Sequence, residues 1–244
     1  MKDYAYDLRY YTKLQGFVYS LLKDGPFSML HDKKGYKFFC YSNIFPIGNN
    51  KEGSKKNLII SSPNDKLIDS IIEKLEGINQ ANIAEMSFSI ASIRKVKTYA
   101  THRLVAATPI ILRIPSYNYP AYGINSDYGY VYWRAEHSFD AFLSQLNGNL
   151  IKKYNEFNNT KTDELPLFEQ FLYKKPVVSH VIVEGKEQKI IGSLWEFGFS
   201  HLSSEQRRII EFGMDVGFGE RNSLGFGFIN AISDSTSIRE KVPS

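Results

Sequence analysis

The chain reads Gly217-Phe218-Gly219-Glu220-Arg221-Asn222-Ser223-Leu224-Gly225-Phe226-Gly227-Phe228 near its C-terminus. Two Gly-Phe-Gly triplets stand five residues apart in this glycine-rich loop, residues 217–228. Glycine has no Cβ and tolerates positive φ, so such a loop can present backbone N–H groups to a phosphate chain. The pattern therefore indicates RNA binding, although the same glycines could also form only a tight helix-to-strand connection.

The glycine-rich loop differs from the common nucleotide-binding motifs. No Gly-Lys-Ser/Thr sequence follows it, which excludes a P-loop. Asn222 stands where the third glycine of a dinucleotide fingerprint belongs, and the loop follows a predicted helix instead of opening one. Both of these enzyme classes are excluded.

Composition indicates a globular protein that works in a reducing compartment. The 244 residues are 43% hydrophobic, and no apolar run reaches the length of a signal peptide or a membrane span, so we expect a cytoplasmic protein without a membrane partner. Cys40 is the one cysteine, which excludes an intrachain disulfide. The net charge of +4 is mild, so binding of a polyanion requires a local basic patch.

The first half of the chain alternates strand and helix patterns. Apolar residues recur at every second position up to Tyr10 and then at helical spacing over residues 14–22. Further elements are predicted as strands at 36–43 and 57–61, a helix capped by Ser62 and ending at Gly77, and a β-patterned segment at 83–114. This βαββαβ order is the ferredoxin-like unit.

The second half repeats the pattern less regularly. A Tyr-, Gly- and Pro-rich stretch at 115–129 is predicted as a linker or an exposed hairpin. Beyond it we expect a helix from Ser138, strands at 177–184 and 190–199, a helix from the capping box of Ser203 and Gln206 to Gly213, and a strand at 226–232. The predicted fold class is α+β, with two tandem ferredoxin-like (RRM-like, βαββαβ) domains at 1–115 and 116–244.

Placed between the last helix and the last strand, the glycine-rich loop resembles the signature of the CRISPR-associated repeat-processing endoribonucleases, the Cas-six family of the RAMP superfamily. Residues 14–22 (LQGFVYSLL), 30–32 (LHD) and 38–43 (FFCYSN) are similar to that family's first helix, histidine loop and second strand. The resemblance covers essentially the whole chain, and its C-terminal glycine motif is the most specific part.

The resemblance implies an activity and its partners. The family cleaves CRISPR precursor transcripts within each repeat, without a metal or other cofactor, and leaves a 2′,3′-cyclic phosphate or 3′-phosphate and a 5′-hydroxyl. The implied partners are the repeat RNA, as precursor and as processed guide, together with other subunits of an interference complex. The sequence leaves open whether the protein forms a homodimer.

Metal-free RNA cleavage uses the 2′-OH as the nucleophile and needs a base, an acid and a cation from the protein. His31 lies in the loop after the first predicted helix, a setting suited to proton transfer near neutral pH. Tyr19 lies off the apolar stripe of that helix, and Lys37 begins a predicted strand. By position, these three residues match the His, Tyr and Lys set often used in the family.

Candidate RNA-binding residues lie in two regions. They are Gly217, Gly219, Arg221, Asn222, Ser223, Gly225 and Gly227 of the glycine-rich loop, and Arg94, Lys97 and Arg103 of the segment at 83–114. No metal site is predicted, because no His, Asp and Glu cluster has ligand spacing. Two other functions stay open: a catalytically silent repeat-RNA-binding subunit, and a general single-stranded RNA-binding protein, which the lack of an RNP-type aromatic signature disfavours.

Overall fold

The computed structural model describes residues 10–47, 52–83, 86–183 and 185–232. The first part of the chain contains α1 (Tyr10–Leu22), β1 (Cys40–Tyr41), β2 (Ile60–Ser61), α2 (Asp65–Glu76), β3 (Gln80–Ile83) and β4 (Met86–Ser89). The rest contains β5 (Arg103–Ala106), β6 (Arg113–Pro115), α3 (Tyr119–Tyr122), β7 (Tyr130–Tyr132), α4 (Phe139–Asn158), β8 (Gln170–Val183), β9 (Lys186–Gly198), α5 (Ser204–Val216) and β10 (Ile229–Ala231).

The largest sheet has four antiparallel strands in the order β10-β5-β9-β8. In chain order its elements run β5, α4, β8, β9, α5 and β10, which is a βαββαβ unit with the strand order 4-1-3-2. The predicted second ferredoxin-like unit is therefore present. Its helices α4 and α5 pack with the β8–β9 hairpin around the largest apolar core.

The segment at 83–114 was predicted to supply the last strand of the first ferredoxin-like unit. This prediction is wrong for β5, which belongs to the sheet of the second unit. The described residues of the segment include β4, β5 and most of β6, and β5 pairs with β9 and β10 of the second sheet. The predicted domain division at residues 115 and 116 separates β5 from these hydrogen-bonded partners. The stretch at 115–129 connects β6 to its antiparallel neighbour β7, so the hairpin alternative was the correct one.

The first unit is built around α1 and α2, with the pairs β1–β2 and β3–β4 beside them. Most of the predicted first strand lies outside the described residues, and Tyr10 already belongs to α1. The strand predicted at 36–43 is reduced to two residues, because Phe38 takes a φ of +52° and interrupts the extended alternation.

Helix ends follow side-chain hydrogen bonding. The predicted cap at Ser62 is wrong: Asn64 caps α2, since its Oδ1 accepts from the N–H groups of Lys66 and Leu67, while the Ser62 hydroxyl donates to Phe38 O. The caps of α4 by Ser138 and of α5 by the Ser203 capping box are confirmed.

Helix α5 runs past Gly213, where the sequence predicted its end, and stops at Val216. A Cβ on Gly213 would lie 2.5 Å from the Phe218 ring and 2.9 Å from Leu150, so this glycine allows close packing inside the helix. Within the part of the chain that the structure describes, none of the helices combines the length and apolar character needed to cross a membrane.

Candidate functional site

The glycine-rich loop connects α5 to β10 with an unusual backbone. Gly217, Gly219, Gly225 and Gly227 have φ values of +82°, +70°, +90° and +74°. A Cβ on Gly227 would lie 1.9 Å from Phe218 O, and one on Gly219 would lie 2.5 Å from Ile111 O. Both the conformation and the close packing therefore require glycine at these positions.

Several N–H groups of the loop are bonded inside the protein. The backbone N–H of Phe218 donates to Gly227 O at 2.8 Å, and that of Gly227 donates to Pro109 O at 2.9 Å. The Asn222 side chain is buried, and its amide nitrogen donates to the carbonyl oxygens of Phe218 and Phe226. The four glycines and Asn222 thus shape the loop, and their direct contact with RNA stays a prediction.

The solvent-facing part of the loop is short. Glu220, Arg221 and Ser223 are partly exposed, whereas the four glycines are buried. Arg221 takes a φ of +58°, which is uncommon for a residue with a long side chain. Its Nε is buried and has no hydrogen-bond partner among the described residues. A buried guanidinium nitrogen without a partner is a candidate donor to a bound anion.

Lys153 of α4 lies directly beneath the loop and is 2% exposed. Its Nζ donates to Gly217 O at 2.8 Å, to Gly219 O at 2.5 Å and to Asn222 Oδ1 at 2.6 Å. Burial lowers the pKa of Lys153 to about 7. Lys153 was not predicted from the sequence, although a signal was present: it follows Leu150 by three positions on the apolar face of the predicted helix.

The three candidate catalytic side chains lie together. Lys37 Nζ donates to Tyr19 Oη at 2.7 Å and to the carbonyl oxygen of His31 at 2.8 Å. The Tyr19 and His31 rings meet edge to face with their centroids 5.0 Å apart. The structure therefore brings together one residue from α1, one from the following loop and one from the approach to β1.

The local environment sets the protonation of this group. Burial raises the pKa of Tyr19 to about 12, so its hydroxyl keeps its proton at neutral pH. Burial lowers the pKa of Lys37, while the nearby Asp32 opposes this shift. His31 is 67% exposed at its side chain, and its Nδ1 lies 2.7 Å from an Asp32 carboxylate oxygen. The imidazole is accessible to a substrate.

The catalytic candidates connect to the glycine-rich loop through Ser223. The Ser223 side chain forms a hydrogen bond with Tyr19. Its backbone oxygen accepts from Gln15 Nε2 at 2.9 Å and from the Tyr41 hydroxyl at 3.3 Å. Since all three partners belong to the first unit, the loop of the second unit is docked against the candidate catalytic group.

A cleft of about 390 Å³ opens between the two regions. Among the described residues that line it, the cations are Lys37, Arg113, Lys153 and Arg221, and the one acid is Glu220. The Glu220 carboxylate accepts from the backbone N–H and Nε of Arg113. The complete lining is Gly35, Tyr36, Lys37, Phe38, Phe39, Arg113, Lys153, Val216, Gly219, Glu220, Arg221, Asn222 and Ser223. Its excess of cations suits a phosphate group.

The basic residues predicted in the segment at 83–114 are elsewhere. Arg94 and Lys97 are exposed in the irregular stretch between β4 and β5, and Lys97 lies over the Tyr99 ring. Arg103 on β5 pairs with Glu196 at 3.0 Å. The structure does not place these three cations in the cleft, and their part in RNA binding stays a prediction. Among the described residues, no group of three or more His, Cys, Asp or Glu is placed to hold a metal ion.

These features define an α+β protein whose ferredoxin-like sheet carries a glycine-rich loop packed against a His, Tyr and Lys group. The family model described as "CRISPR associated protein Cas6, C-terminal" matches residues 94–231. Similarity to curated relatives extends over nearly the whole chain. The chain belongs to the Cas6 family.

Two curated relatives carry informative names. "CRISPR-associated endoribonuclease Cas6 2" of Methanocaldococcus jannaschii is 31% identical, over 95% of this chain and 95% of the relative. "CRISPR-associated endoribonuclease Cas6" of Haloferax mediterranei is 29% identical, over 95% of this chain and 90% of the relative.

Solved structures support the fold. "CRISPR associated protein Cas6" matches with a TM-score of 0.65 and 22% identity over 91% of both chains. "An RAMP protein binding different RNA substrates" matches with a TM-score of 0.61 and 21% identity over 96% of both chains. These similarities confirm the predicted α+β fold class of tandem ferredoxin-like units.

Proposed function

We propose that this protein is an endoribonuclease that cleaves CRISPR precursor RNA within the repeat, in the cytoplasm and without a metal ion. The observation that carries the proposal is the contact group of His31, Tyr19 and Lys37, because it joins a titratable imidazole, a phenol and an ammonium beside a basic cleft. Membership in a family with relatives named endoribonucleases supports it.

The reaction is an internal transfer of the phosphoryl group. The 2′-oxygen loses its proton and bonds to phosphorus, the bond from phosphorus to the 5′-oxygen breaks, and that oxygen takes a proton. The products are a 2′,3′-cyclic phosphate, which opens to a 3′-phosphate on hydrolysis, and a 5′-hydroxyl. His31 is the principal proton-transfer group, since its imidazole is exposed and has one nitrogen that can accept a proton and one that can donate it.

Lys37 and Tyr19 support this step. The Lys37 ammonium faces the charge that develops on the phosphate, as preorganised cations do in such transition states. The Tyr19 hydroxyl accepts from Lys37, so its own hydrogen can be donated to an oxygen of the substrate in place of the Ser223 hydroxyl.

In this proposal the RNA crosses the basic cleft beside this group. Arg221 and Ser223 of the glycine-rich loop, with Arg113 of β6, hold the phosphates next to the cut, and Arg94, Lys97 and Arg103 contact the strand farther away. The repeat RNA is the principal partner. Gel filtration of the completed reaction measures whether the product stays bound and whether the protein then forms a dimer or joins other subunits.

The second ferredoxin-like unit begins, in this proposal, near residue 103 instead of 116. The pairing of β5 with β9 and β10 supports this boundary, as does the start of the family match at residue 94.

The test is cleavage of a 5′-labelled repeat transcript from the source organism's CRISPR array in EDTA. We expect cleavage by the unmodified protein, loss of cleavage with His31→Ala, and loss with a 2′-deoxy nucleotide at the mapped cut. His180→Ala is the matched control, because His180 is also exposed and also contacts a carboxylate, Glu187, at 2.6 Å. RNA binding without cleavage by the unmodified protein would favour the catalytically silent subunit instead.

A further inference from the structure

Lys153 has no part in the proposed chemistry, yet it is the buried cation nearest to the glycine-rich loop among the residues that line the cleft. We propose that Lys153 is a positioning residue: its ammonium group fastens the glycine-rich loop in the conformation that binds RNA. This inference rests on the proposed function and deepens it, because it assigns a cause to the shape of the RNA-binding loop.

The ammonium has three acceptors, and all of them belong to the loop. Gly217 O and Gly219 O come from the first Gly-Phe-Gly triplet, and Asn222 Oδ1 comes from the turn between the triplets. An ammonium has three N–H donors and no acceptor, so this set satisfies it fully. The three bonds fix the first triplet to α4, which is itself anchored in the core by Leu146 and Leu150.

Asn222 extends the connection to the second triplet. Its amide oxygen accepts from Lys153, and its amide nitrogen donates to Phe218 O at 3.1 Å and Phe226 O at 2.9 Å. A lysine that holds the oxygen of Asn222 therefore also determines which way its amide nitrogen points. Through these two side chains, α4 controls the relative position of both triplets and of the partly exposed Arg221 between them.

A methionine at position 153 would fill the same buried space without the cost of removing a charge from water, so packing alone does not explain why a lysine stands there. The three loop oxygens provide it, because an apolar side chain would leave them without donors. The charged and titratable groups that face this site or line its cleft are Tyr36, Lys37, Cys40, Arg113, Glu220 and Arg221. Burial disfavours the ammonium and lowers the pKa of Lys153 to about 7, whereas the nearby Glu220 carboxylate favours it.

RNA binding and protonation of Lys153 are therefore linked. The ammonium form holds the loop, and a phosphate in the cleft favours a positive charge beside it. By linkage, RNA raises the pKa of Lys153, and the affinity for RNA falls as rising pH removes this proton.

The first test compares Lys153→Met with Lys152→Met. The two lysines are neighbours on α4 and each substitution removes one amino group, but Lys152 is exposed. Both are measured in a His31→Ala background with a 5′-labelled repeat transcript from the source organism, so that binding is read without cleavage. We expect Lys153→Met to weaken RNA binding about tenfold or more, and Lys152→Met to stay within about threefold of the parent protein.

A second measurement separates positioning from a purely structural role. With His31 restored, Lys153→Met should cleave saturating RNA in a single turnover at close to the unmodified rate, because the catalytic group itself is intact. Equal affinities for Lys153→Met and its parent protein would overturn the proposal. So would a loss confined to the cleavage rate of bound RNA.

The third measurement needs no substitution at Lys153, which matters if Lys153→Met does not fold. The RNA affinity of the His31→Ala protein is measured from about pH 6.5 to about pH 9.5, where it should fall as the pH rises, with proton uptake on binding in calorimetry. Affinity that stays constant over this range would overturn the proposal. Failure of the proposed function is distinguishable: the unmodified protein would then bind RNA without cutting it, or not bind it at all.

Discussion

Replacement of Gly227 by alanine tests whether the glycine-rich loop is required for packing before it is required for RNA. The new Cβ would lie 1.9 Å from Phe218 O and 2.8 Å from the amide nitrogen of Asn222. The backbone there has a φ of +74°, which an alanine adopts only with strain. The loop must shift to accommodate the methyl group, and the hydrogen bond from Phe218 N to Gly227 O is strained with it.

The magnitude follows from two contributions. A left-handed conformation costs a residue with a Cβ about 1–2 kcal/mol. Overpacking of a close contact typically costs about 1–3 kcal/mol. We therefore expect Gly227→Ala to lower the free energy of unfolding by about 2–5 kcal/mol, a large part of the total for an ordinary protein.

Urea unfolding measures this change, and Gly148→Ala is its control. Gly148 lies inside α4 without a positive φ, and a Cβ added there would meet no atom within 4 Å beyond the backbone of its own helix. The same chemical substitution should therefore stabilise the protein there by up to about 1 kcal/mol. An unfolding midpoint for Gly227→Ala equal to that of the unmodified protein would refute the packing explanation, especially if RNA binding alone were lost.

Three further substitutions test other parts of the molecule. Tyr19→Phe removes the hydroxyl bonded to Lys37 and should slow single-turnover cleavage at least about tenfold with little change in RNA affinity; an unchanged rate would exclude Tyr19 from the reaction. Ser203→Ala removes the capping box of α5 and should lower the free energy of unfolding, measured in urea, by about 1 kcal/mol. An unchanged free energy of unfolding would contradict the assigned cap. Burial, followed by the charge of Glu211, raises the pKa of Asp215 to about 6. The folded state thus binds this proton more tightly than the unfolded state, so the ionised carboxylate destabilises the fold at pH 7. Asp215→Asn should therefore stabilise the protein at pH 7 by about 1 kcal/mol after solvent screening. This gain should decline as the pH falls through about 6 and be absent below about 4, the ordinary pKa of an aspartate.

The predictable features were those that depend on local sequence. The Ser203 and Gln206 pair predicts the start of α5, because both partners of the capping box lie within one turn. The glycine triplets likewise identify the loop between α5 and β10. His31, Tyr19 and Lys37 were matched through a family resemblance, and the structure then placed their side chains together.

The missed features depend on long-range contacts. The strand pattern of β5 does not reveal that its partners are β9 and β10, some 90 to 130 residues farther along the chain. A glycine such as Gly213 usually marks the end of a helix, but here it lies inside α5, where the absence of a side chain lets it pack against Phe218. Lys153 was missed because its acceptors in the glycine-rich loop are brought to it only by the fold.

Ser223 has a consequence for the protein as a whole. Its backbone oxygen accepts from Gln15 and Tyr41, while Tyr11 stacks on Phe226 at 4.7 Å, so the last loop of the second unit is built into the surface of the first. The proposed substrate site is therefore shared between the two units. Replacement of one unit by that of a relative would have to preserve the contacts of Ser223 and Phe226 with the first unit as well as the proposed RNA-binding residues.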